Sequence, residues 1–423
     1  MSSNAFHFIA IGGAAMHNLA LALFQKGATV TGSDDEINEP SRSRLEAVGL
    51  LPERIGWFPE KIHSGLEAVI LGMHARADNP ELSAAQSLGI PVYSYPEFIY
   101  RQSLDKLRVV IGGSHGKTTI TSMILHVLRS QAMEFDYLVG AKLEGFDTMV
   151  SLSDAPIIIV EGDEYLSSPI DRRPKFHLYR AHIGVISGIA WDHINVFPTF
   201  AGYVDQFRIF SDGLPSDGKL IYCEADDAVT DVANKSSTLA KRIPYNVPAH
   251  KIIQGVTFLE TAFGDVRLNI FGTHNLMNLE AARAVCNELG VSNHDFYKSI
   301  SSFKGAAKRL EQLGANAHVS VFKDFAHSPS KLKATVAAVR SQFPKQKLIA
   351  CMELHTFSSL NDEFLKEYDG TMNDADIAMV YFNPHTIAHK QLPPVSVGQV
   401  VNAFNRKDLM VFTDSLEFKE SLI

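Results

Sequence analysis

Short apolar, β-branched runs alternate with stretches of 3.6-residue periodicity from one end of the chain to the other. Phe8–Ile11 precedes a helical pattern over Met16–Lys26, and Leu107–Ile111 precedes one over Ile120–Arg129. Ile157–Val160 and the run from Ile183 to Ile186 are further stretches of strand type. Strand and helix patterns in alternation predict an α/β fold with largely parallel sheets. No solenoid-length repeat or low-complexity tract interrupts the pattern. A polar link at Ser103–Lys106 and a break at Leu313–Ala317 divide the chain into expected units of residues 1–105, 106–313 and 314–423. At the second break, Gly314-Ala315-Asn316 separates a basic stretch from the strand-like run His318–Phe322. Each unit has ordinary domain size.

Composition narrows the class. The length of 423 residues exceeds one ordinary core, while 46% hydrophobic and 20% charged residues are globular values. The net charge of −8 is spread along the chain with no basic block, which argues against nucleic acid as the main partner. Cys223, Cys286 and Cys351 are far apart and lack CxxC spacing. Neither a structural zinc site nor a disulfide framework is expected, and a reducing cytoplasm fits. The chain runs directly into the strand-like stretch His7–Ile11, without a basic leader or an apolar stretch of bilayer length. A cytoplasmic protein with no membrane partner is expected, as a monomer or weak homodimer.

The candidate chemistry lies at strand ends. Gly113, Ser114, His115, Gly116, Lys117, Thr118 and Thr119 join an apolar strand to a helix. In such a turn, backbone N–H groups and the helix N-terminus face an anion, a lysine reaches the outer phosphates and a threonine hydroxyl suits Mg²⁺. Ile111 stands where the standard phosphate loop has its first glycine, so the turn is one step tighter. Gly-Lys-Thr alone also fits a surface turn; the flanking strand and helix favour a nucleotide site. The strand Ile157–Val160 is followed by Glu161, Asp163 and Glu164. A carboxylate at that strand end faces the loop and holds Mg²⁺ in phosphate-loop enzymes, with a solvated acidic turn as the alternative. Asp192-His193 follows another strand and is either functional or a helix cap. Asn275 and Asn278 share a helical face, suited to a base edge, with helix capping by Thr273 and Asn275 as the alternative. Near the N-terminus, Ala10 to Ala15 is a degenerate G-x-G-x-x-G, and Asp34 ends the second strand about 20 residues later, placed for a ribose hydroxyl. A nucleotide, a nucleotide-sugar diphosphate, NAD or an unliganded turn all fit that spacing.

Taken in order, Gly-x-x-Gly-Lys-Thr-Thr, Glu161-Gly-Asp-Glu, Asp192-His193, Gly-x-His-Asn-x-x-Asn, Lys308-Arg309-Leu310-Glu311 and Lys323-Asp324-Phe325-Ala326-His327-Ser328-Pro329 span nearly the whole chain. This ordered set resembles the Mur ligase family, the ATP-dependent amide ligases of peptidoglycan assembly. The resemblance implies a three-domain architecture: a Rossmann-like UDP-sugar domain, a central P-loop ATPase domain and a Rossmann-like C-terminal ligase domain. It implies ATP and Mg²⁺ as cofactors, with UDP-N-acetylmuramate and a murein peptide or amino acid as substrates. Gly12, Gly13, Ala14, Ala15, Met16, Ser33, Asp34 and His74 would then serve the UDP-sugar. The loop residues Gly113 to Thr119 would bind ATP with His274, Asn275, Asn278, Arg309 and Asp324. Lys117, His193 and Arg309 would be catalytic, Thr118, Glu161 and His193 would hold metal, and His327 and Arg172 would meet the peptide.

Asp171-Arg172-Arg173-Pro174-Lys175-Phe176 further resembles the branch that joins a whole tripeptide, L-Ala-γ-D-Glu-meso-diaminopimelate, to UDP-N-acetylmuramate in peptidoglycan recycling. That ligation, through an acyl phosphate, is the expected reaction. L-alanine addition in biosynthesis is the alternative, and a solvated patch is the other reading of the three cations. The sequence departs from the family pattern at Ala190, often glutamate, at Ser328, often a second histidine, and at Lys308, the first of two arginines. Glu353–Ser359 lacks an arginine frequent in the alanine-adding branch. The chain stops at Ile423, about where one more strand and a glycine turn are expected.

Overall fold

A computed structural model describes residues 4–141, 143, 145–146, 148–191, 196–306, 309–316 and 318–422. The N-terminal sheet consists of β1 (Ala5–Ile9), β2 (Thr29–Ser33), β3 (Ala68–Leu71) and β4 (Val92–Ser94), all parallel, in the order β2-β1-β3-β4. Alternate β1 side chains enter different cores. Phe6 and Phe8 pack with Leu19 and Leu23 of the helix Ala14–Gln25, while Ile9 packs with Val69, Leu71 and Leu82. The strand is shorter than the apolar run Phe8–Ile11 suggests. Ala10 has a φ of 68°, and the N–H groups of Ala10 and Ile11 both donate to the Ser33 carbonyl. The chain has already turned there, and Ala10 and Ile11 are buried as parts of the turn.

The central sheet contains β5 (Leu107–Gly112), β6 (Asp136–Leu138), β7 (Val150–Ser151), β8 (Ile157–Glu161), β9 (Ile183–Ile186), β10 (Lys219–Cys223) and β11 (Lys241–Tyr245). Their order is β11-β10-β9-β5-β8-β6-β7, and every pairing is parallel except β6 with β7. Both faces are covered, which explains why these strands read as continuous apolar runs. Val109, Ile111, Ile159 and Val185 pack beneath the helices Lys117–Ser130 and Thr273–Glu288. Val110, Ile158, Val160 and Ile186 meet Phe176, Phe207 and Phe210 on the other face, in a core continuous with Phe6 and Phe8.

A small antiparallel sheet follows, built from β12 (His250–Ile253), β13 (Val256–Thr261) and β14 (Gly264–Arg267). Next comes a hairpin of β15 (Glu311–Ala315) and β16 (Ser320–Lys323) with a bulge between Gln312 and Gly314. The expected break at Leu313–Ala317 is thus partly a strand. Every residue of β15 is exposed, so its polar, glycine-containing sequence reads like a linker although it is paired. The last sheet, β17 (Ile349–Leu354), β18 (Ile377–Phe382) and β19 (Met410–Phe412), is parallel and encloses Met352, Val380, Tyr368 and Phe404. The helix Pro329–Gln342 bridges this sheet to the central unit. Gln342 donates to the Gly255 carbonyl at 2.6 Å and accepts from the Thr257 hydroxyl at 3.1 Å.

Candidate active site

The C-terminal ends of β5, β8 and β9 converge, the position at which open α/β sheets bind ligands. After β5 the chain turns through Gly113 (φ 136°) and Gly116 (φ 80°), and the helix begins at Lys117. A side chain at Gly116 would be strained and would also collide with the Asn278 carboxamide oxygen. The loop is tied to the end of β9: the Ser114 N–H donates to Gly188 O at 3.0 Å, the Ala190 N–H donates to Ser114 Oγ at 2.8 Å, and Ser187 Oγ donates to the His115 carbonyl. The His115 ring lies where a side chain at Gly188 would be. Burial, followed by the nearby Lys331, Lys117 and His274, pushes the His115 imidazole down to about 4, so it is neutral at pH 7.

The acids at the end of β8 take separate partners. Glu161 accepts the Thr118 hydroxyl at 2.7 Å and the Gly140 N–H at 2.8 Å. Glu164 accepts Lys117 Nζ at 2.7 Å and the Tyr203 hydroxyl at 3.3 Å, while Asp163 lies 3.6 Å from Lys175 Nζ. Burial first, then the charge of Asp163, raises the Glu161 carboxyl above its ordinary range. Burial opposes the charged form of Lys117, but Glu164, Asp163 and Glu161 outweigh it and raise its pKa. Glu161 is the last residue of β8, one position earlier than a loop acid. Among the described residues, no cluster of three His, Cys, Asp or Glu side chains is arranged to cage a metal. The Asp192-His193 pair, and with it the metal and catalytic roles expected of His193, lies outside the described residues, as does Lys308.

A cavity of about 860 Å³ opens beside the loop, lined among others by Thr119, Asn275, Arg309, Phe271, Phe322 and Phe343. Asn275 donates to the Phe271 carbonyl at 2.9 Å, and the helix cap is Gly272 rather than Thr273 or Asn275. Arg309 stacks over the Phe325 ring at 5.0 Å, and Phe325, His327 and His355 follow in ring contact at 4.9 and 6.2 Å. Asp324 accepts the Thr335 hydroxyl and its own neighbour's N–H, and its charge partly offsets the burial that lowers the pKa of His274. Asn275 and Arg309, distant in sequence, thus line one cavity, while Asp324 acts on His274 and Asn278 faces Gly116 of the loop.

At the N-terminal turn, Gly12 donates its N–H to Asp34 Oδ2 at 2.7 Å, and Asp35 donates to Oδ1 at 2.9 Å. Asp34 thus braces the glycine turn. Burial raises its carboxyl to about 6, against the lowering effect of the Gly12 and Glu36 N–H groups. Ala14 is exposed, Ala15 half-buried and Met16 buried; Ser33 is fully buried and close to Lys61 Nζ at 3.4 Å. His74 is exposed just beyond β3. Arg172 is exposed, whereas Arg173 folds back onto Asp171 at 2.6 Å and lies 3.7 Å from Glu97. Phe176 is fully buried and stacks on Phe210 at 4.9 Å. Sequence reasoning missed Gly188 and Tyr203, and it weighed Glu164 only as a metal ligand. A glycine two residues past the end of a strand was the available signal for Gly188; nothing local pointed to Tyr203.

The description "Mur ligase family, catalytic domain" fits residues 5–105, and "Mur ligase middle domain" fits residues 111–286. The UDP-N-acetylmuramate–L-alanine ligase of Arthrobacter sp. (strain FB24) is 31% identical over 384 residues, covering 88% of this chain and 80% of that protein. The fold matches a murein peptide ligase from Psychrobacter arcticus with a TM-score of 0.68 at 22% identity, over 99% of this chain and 92% of the other. It matches a UDP-N-acetylmuramate–alanine ligase from Thermotoga maritima with a TM-score of 0.69 at 18% identity, over 98% and 92%. Three-domain α/β architecture, a phosphate loop facing strand-end acids and a relative at this identity over most of both chains lead to one conclusion: the chain belongs to the Mur ligase family of ATP-dependent carbon–nitrogen ligases.

Proposed function

We propose that the chain joins the lactyl carboxylate of UDP-N-acetylmuramate to an L-alanyl amine, converting ATP to ADP and phosphate. The supporting observation is the pairing of Lys117 with Glu164 and Thr118 with Glu161, at the mouth of the phosphate loop. In this reading a carboxylate oxygen attacks the γ-phosphorus and ADP leaves, giving an acyl phosphate. The amine then attacks the acyl carbon, gives up a proton, and phosphate departs as the amide forms. Negative charge develops on oxygen in both steps, and Lys117 and Arg309 are the cations proposed to face it. Thr118 and Glu161 supply adjacent hard oxygen donors, and Glu161 is a buried carboxylate whose ionised form needs a cation, so the pair fits Mg²⁺. Bound there, Mg²⁺ would neutralise charge on the phosphate oxygens. The first-unit turn around Gly12 and Asp34 is proposed to take the UDP-sugar, and His274, Asn275, Asn278 and Asp324 the nucleoside of ATP.

Both candidate amine substrates present the same alanyl amine and differ only beyond its carboxyl. Free L-alanine is favoured by the similarity to the Arthrobacter ligase named for that substrate. The tripeptide is the second reading, carried by the Asp171–Phe176 run. Most of that run serves a turn and the core, which leaves Arg172 as its one residue proposed for substrate contact. Phosphate release with Mg²⁺-ATP and UDP-N-acetylmuramate, compared between L-alanine and the tripeptide, decides between them. Preference for L-alanine places the chain in biosynthesis, preference for the tripeptide places it in recycling, and no release with either amine overturns the ligase reading.

A further inference from the structure

Glu164 is 1% exposed and lies three residues beyond the acid matched to Thr118. Its two carboxylate oxygens are divided: one accepts Lys117 Nζ at 2.7 Å, the other the Tyr203 hydroxyl at 3.3 Å. Lys117 Nζ also donates to the carbonyl of Gly113 at 2.6 Å. An ammonium has three N–H donors in fixed tetrahedral directions, so two anchored donors fix the direction of the third. A lysine on a four-carbon stem otherwise has wide rotameric freedom. Tyr203 is a stiff brace, fully buried in the helix Phe200–Asp212 with its ring against Phe197 at 5.3 Å and Phe207 at 5.2 Å. Asp163 and Glu161, the other acids of this strand end, are engaged with Lys175 and Thr118.

We propose that Glu164, braced by Tyr203, is a positioning residue that aims the Lys117 ammonium at the transferring phosphate. This assignment rests on the ATP-ligase reading of the loop and separates the two acids by role: Glu161 serves the threonine and metal side, Glu164 the lysine. An anion beside the phosphate site also opposes ATP in the ground state. Removing its charge is therefore expected to tighten ATP binding while the misdirected ammonium slows transfer, because small misplacements of a catalytic group have large rate effects.

The test is steady-state phosphate release from Mg²⁺-ATP and UDP-N-acetylmuramate with the amine that the wild type uses, for the wild type, Glu164→Gln, Tyr203→Phe and the double variant, with melting temperatures alongside. Expected are a fall in kcat of about tenfold or more in Glu164→Gln, with KM for ATP unchanged or lower, and a smaller fall in Tyr203→Phe that adds nothing in the double variant. Glu164→Asp, which keeps the charge, is expected to recover part of kcat. A wild-type kcat in Glu164→Gln overturns the assignment, and so does full additivity of Tyr203→Phe. A lowered melting temperature with kcat intact reassigns the pair to stability alone. No turnover in the wild type overturns the ligase reading and this assignment with it, whereas turnover that is indifferent to Glu164 overturns only the latter.

Discussion

Lys117 and Asp34 show how far a residue's role depends on its surroundings. The loop spacing identifies Lys117, but its charge state is set by Glu164, Asp163 and Glu161, which outweigh burial. Lys117→Ala is expected to lower phosphate release by about 10²-fold or more, the cost of losing a preorganised charge at a developing anion; unchanged release would remove ATP chemistry from this loop. Asp34 stood at the ribose-binding spacing, yet its carboxylate bonds to the N–H groups of Gly12 and Asp35. Its pKa of about 6 lies above the unfolded value near 3.9, so the folded state holds this proton more tightly than the unfolded chain does. The stabilisation is present below about pH 4 and is lost as pH rises through about 6. Urea midpoints measured at pH 4.5 and 7 are expected to fall more for the wild type than for Asp34→Asn; equal falls would rule out the raised pKa.

At the scale of elements, the loop and the end of β9 form one unit. Gly188 is 72 residues beyond Gly116, and a side chain there meets the His115 ring, while one at Gly116 meets Asn278. Gly188→Ala is expected to raise KM for ATP about tenfold by displacing the loop, and an unaltered KM would show that the ring can move aside without cost. The phosphate loop was legible because its turn, lysine and helix start are contiguous. Gly188 was not, because its constraint comes from a segment distant in sequence. The Asp171–Phe176 run was read as a branch marker, and its structural role was not legible. Its aromatic end is core, and Phe176→Ala is expected to destabilise the protein by about 3–5 kcal/mol in denaturant titration, with a loss below 1 kcal/mol contradicting its burial.

For the whole molecule, the helix Pro329–Gln342 holds the last unit against the central one. Its Gln342 bridges Gly255 and Thr257, and the Ala338 side chain lies where a side chain at Gly272 would be. Gln342→Ala is expected to speed amide hydrogen exchange around Gly255–Thr257 and to lower kcat several-fold, since two buried hydrogen bonds are each worth about 1 kcal/mol; unchanged exchange would assign the docking to apolar contacts alone. The sequence by itself determined the α/β class, the phosphate loop, the strand-end position of Glu161 and the order of motifs that marks the family, because each depends on residues adjacent or regularly spaced along the chain. Tertiary structure alone decided that Glu164 meets both Lys117 and Tyr203, that Gly188 makes room for His115, that Asp34 braces its own turn and that β15 is a strand rather than a linker. Those outcomes depend on burial and on hydrogen bonds between segments far apart in sequence, which local pattern does not encode.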